Sequence, residues 1–226
     1  MPSPRIVDRE ILDDPDIPLD QAFCAYEQLA LVERLIGVTR EVLRALSSHR
    51  PRPRRVVDIG CGSGHLLRLV RDKLRISVAG VDLRRLPSES SELEIYVLDA
   101  AVDPIPKCDV AVCVFVAHHL TGHQLERLIG GVSANADRLL IVDPVRGTIP
   151  RMLFQTFLAP WLLPVVAQDG ITSLRSAFSV KEFASIAALT RQRYAATVSH
   201  RVAILWRYQV LDIRYRVGKE PNSGLS

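Results

Sequence analysis

The chain has 226 residues, 48% hydrophobic and 24% charged, which is enough apolar content for one substantial core and too much for a disordered segment. Its 29 basic and 25 acidic residues leave a net charge of +4, too balanced to specify a nucleic-acid partner. The longest apolar run, Phe157 to Ala167, is cut by Pro160 and Pro164 and falls short of the roughly 20 residues that span a bilayer, so no membrane insertion is expected.

Residues 1–20 are charged and proline-rich, with an acidic lead at Asp13, Asp14 and Asp16 and no apolar stretch of the kind a secretory signal needs. The four cysteines, Cys24, Cys61, Cys108 and Cys113, form no C-x-x-C pair; reduced thiols in a cytoplasmic protein are the simplest account. From Leu19 to Ser47 apolar residues recur at helical spacing, through Phe23, Tyr26, Leu29, Leu35, Val42 and Leu46. That pattern predicts one or two amphipathic helices with a break near Gly37. They either roof a pocket or simply pack on a sheet. The proline-broken basic run from His49 to Arg55 reads as a solvated linker.

The most informative stretch is Val56-Val57-Asp58-Ile59-Gly60-Cys61-Gly62-Ser63-Gly64-His65, in which a β-branched run stops at an aspartate and breaks into alternating glycines. An amphipathic helix from Leu66 to Leu74 follows at once. Strand, tight turn and helix in that order place bare backbone and the first helical N–H groups against a ligand with negative charge. A dinucleotide fingerprint requires its last glycine at position 65, where this chain has His65, and a P-loop requires a Gly-Lys-Ser/Thr that Gly64-His65-Leu66 does not provide. About 20 residues further on, one βα unit away, Ile76 to Asp82 is a second strand ending in a carboxylate, placed to reach ribose hydroxyls.

Strands are predicted at 55–59, 76–81, 93–98, 109–115 and 138–142. Their Val, Ile and Leu content, suited to burial on both faces, indicates a parallel sheet with helices on either side. Asp58, Asp82, Asp99, Phe115 and Asp143 gather at its carboxyl edge, where such sheets bind ligands. A capped helix is predicted over 179–189, with Ser179 and Glu182 as a capping box, after a turn at Gln168-Asp169-Gly170. Two closing strands, 194–199 and 202–211, are expected around His200-Arg201.

The sequence D-x-G-x-G-x-G at Asp58, Gly60, Gly62 and Gly64 resembles the first motif of the class I S-adenosylmethionine-dependent methyltransferases. The resemblance covers most of the chain and implies an α/β Rossmann-like doubly wound sheet, mostly parallel with an antiparallel C-terminal strand, plus N-terminal lid helices. It also implies S-adenosylmethionine as cofactor and S-adenosylhomocysteine as product. By that resemblance Asp58, Gly60, Cys61, Gly62 and Gly64 hold the methionine end, Asp82 with Leu83 the ribose, and Asp99 with Ala100 the adenine, while Phe115 comes to the cofactor from the fourth strand. The implied division is a helical lid and linker over 1–54, a methyltransferase core over 55–215 with an apolar insert at 149–171, and a polar tail over 216–226. Ile11 to Pro15, Phe115 to Leu120, Asp143 to Arg146 and Asp169 to Phe178 further resemble small bacterial methyltransferases associated with type III polyketide synthase pathways.

That narrower likeness implies methyl transfer to a small phenolic or polyketide-like acceptor, on oxygen, with carbon methylation of a quinone or polyketide and a non-catalytic cofactor-binding module as the rival readings. His119 and His118 are the candidate bases, and the sequence does not separate them. With no third ligand at recognisable spacing, His118, His119 and His123 are not expected to hold a metal. Arg146 and Arg175 are candidates to hold an anionic acceptor group, and Trp161 a candidate for its apolar part. The insert from Ile149 to Ile171 is core, partner interface or the wall of a greasy acceptor pocket. No Asn/Asp-Pro-Pro-Tyr-like tetrad follows the fourth strand, which argues against methylation of a nucleic-acid base, and a homodimer is compatible with everything above.

Overall fold

The structure, a computed structural model, describes residues 5–14, 16–86 and 93–215; the predicted tail lies outside them. Seven strands form one sheet in the order β3-β2-β1-β4-β5-β7-β6. They are β1 (Arg55–Ile59), β2 (Ser77–Asp82), β3 (Glu94–Val97), β4 (Cys108–Val114), β5 (Ala136–Asp143), β6 (Thr197–Val202) and β7 (Gln209–Arg214). The first five run parallel, β7 is antiparallel to β5, and β6 is antiparallel to β7.

Alternation along the strands sorts the core into two layers. Val56, Val110, Val112, Leu140 and Val210 pack against α2 (Val38–Ser47) and α3 (His65–Leu74). Val57, Ala111, Cys113, Leu139, Ile141 and Leu211 pack against α4 (Gly122–Ser133) and α7 (Val180–Tyr194). With both faces covered, a strand can be apolar through its middle, as β4 is over 110–114 and β5 over 139–142. Because β1 lies between β2 and β4, the connections leave it in opposite directions and open a crevice beyond its carboxyl end.

The N-terminal helices break at Gly37 as predicted, but they divide the work. The second, α2, buries Val38, Val42 and Leu46 on the sheet, whereas α1 (Leu19–Ile36) turns Tyr26, Leu29, Glu33 and Ile36 toward the crevice. Helix α4 is opened by a Thr121/Gln124 capping box and α7 by the expected Ser179/Glu182 box, each satisfying backbone N–H groups that no helical carbonyl can reach.

Two local expectations are corrected. Residues 168–170 are not a turn but the middle of α6 (Pro164–Ser176). Asp169 is there to accept the N–H groups of Ile11 and Leu12 at 2.8 and 2.9 Å, and Gly170 to admit the Phe154 ring, which a Cβ would meet at 2.3 Å. Likewise His200-Arg201 is not a turn but part of β6; the chain reverses through a short 3-10 turn at Ile204–Trp206. An edge strand tolerates such polar residues, and His200 uses its Nε2 on Gln209 Oε1 at 3.1 Å while Arg201 pairs with Glu41.

Arg138 of β5 carries a buried charge between the sheet and α2. Its guanidinium donates to Asp212 of β7 through Nε at 2.7 Å and Nη2 at 2.8 Å, and to the Ala45 carbonyl at 2.8 Å. Removing one partner strands the other in a dry layer. Asp212→Ala is expected to cost about 3–5 kcal/mol in urea unfolding, and the double substitution Arg138→Leu/Asp212→Leu less than that, because no charge is then left alone.

Candidate active site

A single cavity of about 950 Å³ runs from the glycine turn after β1 to the segment after β5. At the turn, Gly60, Cys61, Gly62 and Ser63 line it together with Asp58 and Ile59. Gly62 has φ of 50°, and a Cβ there would lie 2.9 Å from the Tyr26 ring of α1, so the glycine both permits the turn and lets the N-terminal helix close over it. Asp82 Oδ2 accepts the Gly62 N–H at 2.8 Å and Oδ1 accepts the Arg84 N–H at 3.2 Å; the ribose candidate therefore also ties the two strand ends together. Each oxygen keeps lone-pair capacity toward the cavity. Gly64 does not line the cavity and instead precedes α3, packed against Leu93.

This end of the cavity is electrostatically unsatisfied. Burial pushes the Glu33 carboxyl up to about 7. Asp58 is raised well above its ordinary value, first by burial and then by the negative charges of Glu33 and Asp82. Among the described residues no cation offsets either group. A pocket with two such carboxyls, and helical N–H groups beside them, fits a zwitterionic amino acid: the ammonium against the acids, the carboxylate against the start of α3. Sequence reasoning missed Glu33, whose position in an amphipathic helix reads as solvated surface.

Further along the rim, Leu83, Asp99, Ala100 and Phe115 line the cavity as expected. Asp99 Oδ1 caps the following turn through the Ala101 N–H at 2.9 Å. Phe115, with φ of 53°, follows β4 and lines the cavity while packing on the sheet layer of Val112 and Val210. Pro150, Leu153, Phe154, Phe157, Leu158 and Leu162 of the insert form the far wall, built from α5 (Thr148–Leu153), a π turn at Phe154–Leu158 and the start of α6.

The N-terminal segment, residues 5–14, lies across the other side as a strap. Asp169 holds it at Ile11 and Leu12, and Arg84 donates to the Leu12 and Asp14 carbonyls at 2.5 and 3.0 Å. Arg5 donates to the Ser176, His118 and Leu120 carbonyls and stacks on Phe178 at 3.7 Å. The strap brings Glu10 and Asp13 to the two histidines.

His118 is buried, with Nδ1 2.9 Å from Asp143 Oδ1 and Nε2 3.3 Å from Glu10 Oε1. Burial alone would lower its pKa, but Asp143 and then Glu10 outweigh burial and lift it to about 10. With no ion beside it, His118 is held as a cation between two acids, so its position does not suit the expected base; only a bound cation that displaces the Nε2 proton would use that lone pair. His119, about a quarter exposed, faces the cavity. Burial would raise Glu10 and Asp13, yet the histidines overcome it and hold both carboxyls below their ordinary values.

The three acceptor candidates lie outside the cavity lining. Arg146 places Nη2 2.7 Å from both oxygens of Glu182 and donates from Nε to the Ala177 carbonyl, so it joins the end of β5 to α7. Arg175 projects outward toward Asp8 at 3.8 Å, and Trp161 is 82% exposed on the outer side of the insert. Their sequence neighbourhood is right; helix phase and the pairing with Glu182 turn them away.

The chain matches the family model described as a methyltransferase domain over residues 31–190 and belongs to that family. The fold is similar to the plantazolicin methyltransferase BpumL in complex with a monoazolic desmethylPZN analog and SAH, at TM-score 0.69 and 13% identity, over 90% of this chain and 92% of that one. It is also similar to the methyltransferase domain of bacterial CtHen1-CN, at TM-score 0.56 and 17% identity, over 81% of this chain and 99% of that one. A third likeness is to an O-methyltransferase family protein from Burkholderia thailandensis, at TM-score 0.51 and 15% identity, over 84% of this chain and 60% of that one. No curated protein sequence matches. Family and site together make the protein an S-adenosylmethionine-dependent methyltransferase, and among the described residues no helix is long and apolar enough to cross a membrane.

Glu33 gives the cofactor corner a pH dependence with a definite sign. Its carboxyl ionises as pH rises through about 7, and the ionised form attracts an ammonium. Calorimetric affinity for S-adenosylhomocysteine is expected to rise from pH 6 to pH 8. Glu33→Gln is expected to abolish that rise and weaken binding about tenfold at pH 8.

Proposed function

We propose that this methyltransferase methylates an oxygen of a small phenolic or polyketide-like acceptor. The observation that carries the reading is one continuous chamber: the cofactor corner opens directly onto an apolar wall of Leu153, Phe154, Phe157 and Leu162, with His119, Glu10 and Asp13 as the polar cluster beside it. Such a chamber suits an aromatic body with a single ionisable edge.

S-adenosylmethionine, when bound, supplies a methyl group already made electrophilic by its sulfonium. The chain's own task is therefore alignment and exclusion of water. Asp58 and Glu33 would hold the amino-acid end, the rim at Asp82 and Asp99 the nucleoside, and Phe115 stands between that end and the acceptor wall. The strap and α1 close the chamber from the N-terminal side, with Tyr26 over Gly62. His118, clamped by Asp143 and Glu10, positions its neighbour His119, which faces the acceptor and handles its hydroxyl proton.

The test is a mass-spectrometric screen of phenols and polyketide-like pyrones with S-adenosylmethionine. A product heavier by one CH₂ that releases its methyl on ether cleavage supports the reading; a carbon-methylated product overturns the choice of oxygen. Cofactor binding with no product from any acceptor favours the non-catalytic module. On a responsive phenol, His119→Ala is expected to lower turnover about 10²-fold or more, with cofactor affinity unchanged. Gly62→Val, which forces a side chain into Tyr26, is expected to weaken cofactor binding instead.

A further inference from the structure

Glu10, His118 and His119 bring one ligand atom each to within 4.8 Å of one another at the wall of the chamber. We propose that these three residues bind a divalent transition-metal ion, such as Zn²⁺ or Mn²⁺, whose open positions face the acceptor. The proposal rests on the functional reading above for what the ion does, but not for whether it binds.

The orientation of the two imidazoles supports the assignment. Each histidine turns Nδ1 to a carboxylate of its own: His118 to Asp143 at 2.9 Å, His119 to Asp13 at 3.3 Å. Each then turns Nε2 toward the same third carboxylate, Glu10, at 3.3 Å for His118 and 3.9 Å for His119. A metal-ligating histidine held at its far nitrogen by a carboxylate is the arrangement that fixes tautomer and ring angle, and here it occurs twice around one point. Glu10 is itself oriented by a hydrogen bond from Ser173 Oγ.

An independent sign is the His118 Nε2 atom. It is buried in a side chain only 2% exposed and makes no hydrogen bond, although Glu10 Oε1 lies 3.3 Å away. Two donors sharing an ion at about 2.0–2.2 Å lie roughly 3.0–3.5 Å apart, so the His118 to Glu10 spacing already fits. His119, whose Nε2 lies 3.9 Å from Glu10 Oε2, has to move inward, which a partly exposed ring can do. Nitrogen and oxygen donors in this number suit zinc, manganese or iron(II) better than magnesium or calcium. Three protein ligands leave positions free for an acceptor oxygen, where the cation favours the deprotonated form, so that His119 would assist loss of the hydroxyl proton as a ligand of the ion rather than as a free base. The sequence spacing concealed the third ligand because Glu10 sits far upstream and arrives only by way of the strap.

The experiment uses the full chain without an affinity tag, stripped with a chelator and titrated with Zn²⁺ by calorimetry, and with Co²⁺ to read ligand-field absorption. One equivalent bound at micromolar or tighter Kd is expected. His119→Ala and Glu10→Gln should each weaken it at least tenfold, and Asp13→Asn about tenfold through the orientation of His119. No saturable uptake by the parent chain overturns the proposal and leaves an imidazolium bridge in its place. Uptake unchanged in His119→Ala overturns it equally, since the ion would then sit elsewhere. Should Glu10→Gln fail to fold because it also fastens the strap, His119→Ala still decides. Neither titration contains methyl donor or acceptor, so an ion bound here without phenol methylation would sink the acceptor reading alone, and phenol methylation without an ion would sink this one alone.

Discussion

The architecture of the site depends on one buried contact, the His118 imidazole held between Asp143 and Glu10. Asp143 ends β5, His118 follows β4, and Glu10 belongs to the N-terminal strap, so this single ring ties two adjacent strand ends to a segment from the far end of the chain. In a dry setting a charge pair of this kind is costly to leave incomplete. The contact therefore holds the strap down, and with it Asp13 and the roof over the acceptor half. Asp169, from inside α6, reinforces the same closure by accepting two backbone N–H groups of the strap.

The cofactor half follows the opposite electrostatic rule. There the acids are left without partners: Asp58 and Glu33 face the cavity with their ionised forms disfavoured by burial. An unmet charge on one side and a closed network on the other divide a single chamber into two chemistries.

Much of this was legible in the sequence, for a local reason. Strand, glycine turn and helix at 55–74 are contiguous, and spacing within one βα unit is set by geometry that any chain must obey. The same holds for the capping box at Ser179 and the break at Gly37. Errors clustered where polarity serves packing. Asp169 and Gly170 look like a turn until the strap and the Phe154 ring are in place, and His200-Arg201 looks like a turn until it is seen on an edge strand with partners on β7 and α2. Arg146, Arg175 and Trp161 were placed in the correct region but on the wrong side, since the direction of a side chain depends on the phase of its element and on which acid lies within reach.

Sequence by itself thus determined the sheet, the glycine corner and the family of chemistry, because those rest on short-range patterning and on residues near each other in the chain. Only the tertiary structure decided that His118 is buried and His119 partly exposed, that Glu33 lies near Asp58, and that Glu10 and Asp13 reach the two histidines. The strap contacts join segments nearly half the chain's length apart. No periodicity encodes them, and they come into being only when the sheet has assembled and the strap has been drawn across its edge.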